Sequence, residues 1–130
     1  MLPLPRFWSP VALPTLAWRA LFLLLLGVIT TLALVPKPPA QISLGWDKLN
    51  HASAFATLAV VITLGWGRRW LRHALVLLAY GALIEVLQAM TATRSAEWAD
   101  LLADGLGLTA GLLLVAGLRA ASDRWRRTPR

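Results

Sequence analysis

The sequence contains no cysteine among its 130 residues. That excludes a disulfide scaffold, a thiolate metal centre, a cysteine nucleophile and a CxxC redox pair. Histidine is scarce. His51 and His73 stand too far apart for the HExxH type of zinc helix. No GxxxxGK[ST] phosphate loop and no GxSxG nucleophile elbow occurs. Acids are few, with six Asp and Glu against 13 Lys and Arg.

What is present is apolar. Hydrophobic residues make up 58% of the chain, above the roughly 45–50% of soluble domains. The length predicts one domain, 1–130. A helix needs about 17–25 mostly apolar residues to cross a bilayer. Four runs approach this, and they predict helices over about 17–35, 47–66, 71–90 and 99–118, with a basic tail over 119–130. A soluble four-helix bundle would carry one polar face per helix. Residues 20–35 hold no charged residue on any face, so the expected fold class is all-α, an integral membrane four-helix bundle. The first run is longer than a signal-peptide core and lacks a small-residue cleavage site. It reads as a retained helix stopped by Pro36, Pro38 and Pro39.

The net charge of +7 invites a nucleic-acid reading, but the basic residues lie at the ends of apolar runs. One side holds Arg6, Arg19, Arg68, Arg69, Arg72, Arg119, Arg124, Arg126, Arg127 and Arg130. The other holds Lys37, Lys48 and Arg94. The positive-inside rule then places both termini in the cytoplasm. The tail reads as a topology anchor that meets anionic lipid rather than as a nucleic-acid arm. Tryptophan agrees. Trp8, Trp18, Trp66, Trp70 and Trp125 fall near cytoplasmic ends, and Trp46 and Trp98 near outer ends, as in an aromatic belt.

The acids are distributed unevenly. Only Asp123 lies on the cytoplasmic side, whereas Asp47, Glu85, Glu97, Asp100 and Asp104 fall on or near the outer side. An ionised side chain costs about 2.5–3.5 kcal/mol at the centre of a spanning helix on insertion scales. Asp47, Asn50 and His51 share one helical face, with Lys48 beside them. Asp47 also suits a helix N-terminus. Glu85 and Gln88 are i, i+3 neighbours, and Glu97, Asp100 and Asp104 follow the same rule on the last helix. Glu97 alone reads as an exposed helix start. Arg94 precedes these three and is placed to pair with one of them. Gly107 and Gly111 form a GxxxG spacing that allows close helix approach. Trp46-Asp47 with His51 is echoed by Trp98-Ala99-Asp100 with Asp104. In a four-helix bundle these polar faces avoid lipid by facing one another. The expected cluster is Asp47, Lys48, Asn50, His51, Glu85, Gln88, Arg94, Asp100 and Asp104.

These residues resemble the VanZ-like family of small bacterial membrane proteins, named for a teicoplanin-resistance protein. The resemblance rests on Asp47-Lys48-Leu49-Asn50-His51, then Glu85-Val86-Leu87-Gln88, then Arg94 and Asp100 leading into a last helix with Gly105 and Gly107. It departs from the family at Asp104, where an Asn often stands. The resemblance implies a multi-pass protein of the bacterial cytoplasmic membrane and a link to glycopeptide resistance in some members. It implies no reaction.

Three function classes fit the cluster. In the first, an outward-facing site binds or acts on a cell-wall or lipid-linked ligand, with His51 as a base, Glu85 as its partner or an acid, and Lys48 and Arg94 holding an anionic group. In the second, His51 with Glu85, Asp100 and Asp104 holds a divalent cation, which this set of one nitrogen and several oxygens suits better than structural zinc; no cofactor is expected otherwise. In the third, the chain is a non-catalytic subunit or small transporter and the cluster is structural. No recognised nucleophile is present, so the sequence assigns no enzyme class. The expected partners are the lipid bilayer and a lipid-linked or cell-wall ligand, with no nucleic acid.

Overall fold

The computed structural model describes residues 13–36 and 47–127. Arg6, Trp8, Lys37, Trp46 and Arg130, on which the topology and belt expectations rest in part, lie outside the described residues. Four helices account for nearly all of the rest: α1 (Thr15–Leu34), α2 (Asp47–Trp66), α3 (Trp70–Ala89) and α4 (Trp98–Arg127). Each is long and apolar enough to cross a membrane.

Local chemistry sets the helix ends. Pro14 precedes α1 in an extended conformation, and its carbonyl accepts the Ala17 N–H at 2.9 Å. Val35 is again extended, at φ −70° and ψ 144°, as a residue before proline prefers. Helix α2 ends at Gly67, whose φ of +78° is the left-handed conformation that glycine adopts without strain. Its N–H closes the last turn on the Thr63 carbonyl at 3.0 Å.

The last helix differs from expectation. The basic segment from 119 is not a separate tail up to Arg127 but the final turns of α4. Asp123 stands four residues from both Arg119 and Arg127, and cations suit a helix C-terminus.

The helices alternate in direction, so α2 and α4 run parallel. At one end Arg19 Nε donates to the Gly65 carbonyl at 2.9 Å, and the Arg19 guanidinium lies 5.2 Å from the Trp66 ring centre. At the level of α2, the core is Phe22, Phe55, Leu58, Ala59, Val61, Ile62, Leu77 and Leu108. Phe55 stacks on Tyr80 at 5.8 Å. Helix α1 buries only Phe22 and turns Leu16, Leu23, Leu24 and Val28 outward. In water such exposure would drive association, whereas in a bilayer it is the lipid-facing surface.

Helices α2 and α4 meet through small residues. A Cβ on Gly107 would meet the Ala52 backbone oxygen, and one on Gly111 would meet the Ala56 oxygen and Ala59 Cβ. Lipid tails are as apolar as leucine, so membrane helices associate through close packing and hydrogen bonds instead. This contact fixes the register between the polar ends of α2 and α4.

Candidate functional site

The polar residues gather at the end where α1 stops, α2 begins, α3 ends and α4 begins. The parallel register sets Lys48 and His51 of α2 opposite Asp100 and Asp104 of α4. Lys48 Nζ donates to Asp100 Oδ1 at 3.1 Å and to Glu97 Oε2 at 2.9 Å. His51 Nδ1 and Asp104 Oδ1 are 2.9 Å apart. His51 Nε2 faces Asp100 Oδ2 at 3.9 Å. Asp100 is 3% exposed and Asp104 is fully buried. Where Asp104 is ionised its carboxylate only accepts, so a neutral His51 ring then carries its proton on Nδ1 and keeps the Nε2 lone pair. The Asp104 carboxyl fits because α3 has no side chain at Gly81, where a Cβ would lie 2.6 Å from Oδ2.

The α3 residues have backbone partners. Glu85 Oε2 accepts the Glu97 N–H at 2.7 Å. Glu97 stands immediately before α4, so Glu85 satisfies an otherwise orphaned donor at a helix start. Gln88 Nε2 donates to the Ala33 carbonyl at 3.0 Å. Arg94 Nε donates to the Val35 carbonyl at 3.3 Å. These two carbonyls belong to the end of α1, where the helix leaves its last acceptors unpaired. Arg94 Nη1 also lies 3.5 Å from Asp47 Oδ2, so its acidic partner is Asp47 on α2 rather than one of the three acids that follow it. Asn50 lines the cavity described below.

Some contributors were not legible as such. Glu97 is exposed at its side chain, as a helix start would be, yet it joins the network through both Lys48 and its own N–H. Its i, i+3 relation to Asp100 was the available signal. Outside the membrane-spanning segments, Lys48 beside Glu97 holds the Glu97 carboxyl below the usual carboxylate range. At the opposite end, His73 is buried with Nδ1 3.4 Å from Thr63 Oγ1. Tyr80 shares a hydrogen bond with Thr30 and donates to the Leu26 carbonyl at 3.1 Å. Nothing in the sequence pattern marked either residue.

A cavity of about 370 Å³ opens between α1, α2 and α3, in the lower part of the roughly 300–1,000 Å³ range of ligand pockets. Its deeper wall is apolar, from Leu25, Ile29, Leu32, Phe55 and Ile84. Its end at the cluster carries Asp47, Asn50, His51, Gln88 and Arg94. From Asp47 to Thr57 the lining follows α2 for about 15 Å at the helical rise, half of a hydrocarbon core of about 30 Å.

A family model described as VanZ/LLP1 matches residues 16–119. The chain belongs to the VanZ/LLP1 family. The match takes in α1, α2 and α3 from Leu16 onward and α4 as far as Arg119. The whole polar cluster therefore lies inside the VanZ/LLP1 region, and the last turns of α4 lie beyond it. Neither the curated proteins nor the solved structures compared with the chain include a match.

Proposed function

We propose that this VanZ/LLP1 protein lies in the bacterial cytoplasmic membrane with both termini inside, and that its polar end faces the envelope and binds a lipid-linked cell-wall ligand. The observation that carries this reading is the cavity. Its apolar wall suits a hydrocarbon chain, and its polar end suits a head group held by Asn50, His51 and Arg94. The sidedness is supported by arginine. Arg19, Arg68, Arg69, Arg72, Arg119, Arg124, Arg126 and Arg127 stand at the end away from the cluster, as the positive-inside rule requires. An envelope-facing site of this kind accounts for a contribution to glycopeptide resistance, teicoplanin included, because glycopeptides act outside this membrane.

The test fills the cavity. Ala54 lines it from α2, and Ala54→Phe places a ring in the space. Purified wild type should cross-link to a photoreactive polyprenyl phosphate more strongly than to a photoreactive diacyl phospholipid. Ala54→Phe should lose that preference while keeping the wild-type melting temperature. Equal labelling of the folded variant, or no preference in wild type, would refute the reading. Expression in a susceptible host should lower teicoplanin sensitivity, and the same variant should abolish the effect.

A second reading has its own support. Glu85, Gln88 and Arg94 each bond a backbone group of another segment, so part of the cluster holds four short helices together. In a non-catalytic subunit or small transporter that would be its whole purpose. Under that reading Ala54→Phe leaves lipid labelling and the resistance phenotype unchanged.

A further inference from the structure

The polar cluster divides by what its atoms hold. Glu85, Gln88 and Arg94 are engaged with backbone groups. Asp104 Oδ1 orients the His51 ring through Nδ1. Asp100 Oδ1 takes Lys48. His51 Nε2 and Asp100 Oδ2 then face each other, and the Asp47 carboxyl, whose Oδ2 also lies 3.5 Å from Arg94 Nη1, stands close to both. One ligand atom from each of Asp47, His51 and Asp100 lies within 4.8 Å of the others.

The geometry points to a divalent-cation site formed by Asp47, His51 and Asp100, at the polar end of the cavity. The imidazole sets a nitrogen donor beside the two carboxylates. The His51 side chain is only 9% exposed. Its Nε2 faces Asp100 Oδ2 at 3.9 Å. That separation is too long for a hydrogen bond. Two donors bound to one ion at about 2.0–2.2 Å each stand about 3–4 Å apart. The pair is thus already spaced for a bridging cation.

The surroundings agree. A metal-ligating histidine usually donates its other ring N–H to a carboxylate, which is what Asp104 accepts. The cluster carries five carboxyl groups, Asp47, Glu85, Glu97, Asp100 and Asp104, against the fixed cations Lys48 and Arg94, so its charge favours a cation. The Asp47 side chain is 46% exposed, which gives an ion a route from water and lets this ligand move in by a rotamer change. One imidazole nitrogen with two carboxylates suits Zn²⁺ or Mn²⁺ better than Mg²⁺ or Ca²⁺, which prefer oxygen alone. Three protein ligands leave positions open toward the cavity. The sequence had grouped His51 with Glu85, Asp100 and Asp104. The set whose ligand atoms lie within 4.8 Å of one another is Asp47, His51 and Asp100; Glu85 and Asp104 each spend one oxygen, on the Glu97 N–H and on Nδ1, and keep the other buried without a hydrogen-bond partner.

The experiment uses the full chain in detergent, free of any affinity tag, stripped with EDTA and without added lipid ligand. Its outcome is therefore separate from that of the lipid-binding reading. Zn²⁺ is titrated against a chromophoric chelator, and Mn²⁺ by loss of its free EPR signal. Wild type should bind one equivalent of at least one of these ions. His51→Gln and Asp100→Asn should weaken binding at least tenfold, and Asp123→Asn, on the far turns of α4, should match wild type. Asp47→Asn changes an exposed residue. It keeps the test decisive if the two buried variants fail to fold, and it too should weaken binding at least tenfold. The ion should raise the melting temperature of wild type but not of Asp47→Asn. Absence of stoichiometric binding of both ions, or unchanged binding in a folded Asp47→Asn variant, would overturn the assignment.

Discussion

Replacing Gly107 by alanine adds one Cβ where α4 meets α2. The new atom would fall 2.6 Å from the Ala52 carbonyl carbon and 2.7 Å from its Cα, where ordinary contact begins at 3.4 Å. The obstacle is backbone, so no rotamer change relieves it. The Ala52 oxygen lies closer still, so the helices must part locally by more than about 0.8 Å, and close-packed interiors do not absorb such shifts freely. Overpacking of this kind costs about 1–3 kcal/mol. The same parting lengthens the His51–Asp104 contact from 2.9 Å beyond hydrogen-bond range, a loss of about 0.6–1.7 kcal/mol in a membrane bundle. Together these predict a melting temperature at least about 5 °C below wild type in detergent. Gly117→Ala is the matched control, since nothing lies within 4 Å of its Cβ position. Melting is followed by size-exclusion chromatography after heating. If Gly107→Ala is as stable as Gly117→Ala, the close contact between α2 and α4 is wrong.

Other residues give sharper local tests. Glu85→Gln keeps an oxygen to accept the Glu97 N–H and should fold near wild-type stability, whereas Glu85→Ala leaves that donor unpaired and should lose about 1–3 kcal/mol in the same assay. The Glu97 carboxyl is held below its usual range by Lys48. Its contribution should therefore be complete above the ordinary carboxylate pKa and vanish as pH falls through the lowered folded value. Wild type should melt above Glu97→Gln at neutral pH and converge with it in acid. A gap that persists in acid would contradict the ion pair. Tyr80→Phe removes the hydroxyl that joins α3 to Thr30 and the Leu26 carbonyl. It should cost about 0.5–1.5 kcal/mol, and an unchanged melting temperature would show that the hydroxyl does not hold α1.

The four spans were legible because length and hydropathy decide them, and proline and glycine mark their ends. The extension of α4 to Arg127 was harder to read. A basic segment after an apolar run looks like an anchor, and its helical i, i+4 pairing does not alter its hydropathy. Helical spacing also indicated that Lys48, His51, Asp100 and Asp104 would share one level. What spacing cannot give is which atoms are left over. Gln88 and Arg94 reach the end of α1, where the partners are backbone carbonyls of Ala33 and Val35 with no side-chain signature. Glu85 was drawn toward the cluster by its charge, yet its visible partner is a backbone N–H. Asp47 became a candidate ligand only through the register between α2 and α4, which the glycines of α4 set.

The proposed envelope-facing orientation of the polar end can be read directly in cells. Ser95 lies exposed in the segment between α3 and α4, and the native chain has no cysteine to give background. A Ser95→Cys variant in intact cells should react with a membrane-impermeant thiol reagent. Reaction only after the cells are permeabilised would place Arg94, Glu97 and Asp100 in the cytoplasm and contradict the account.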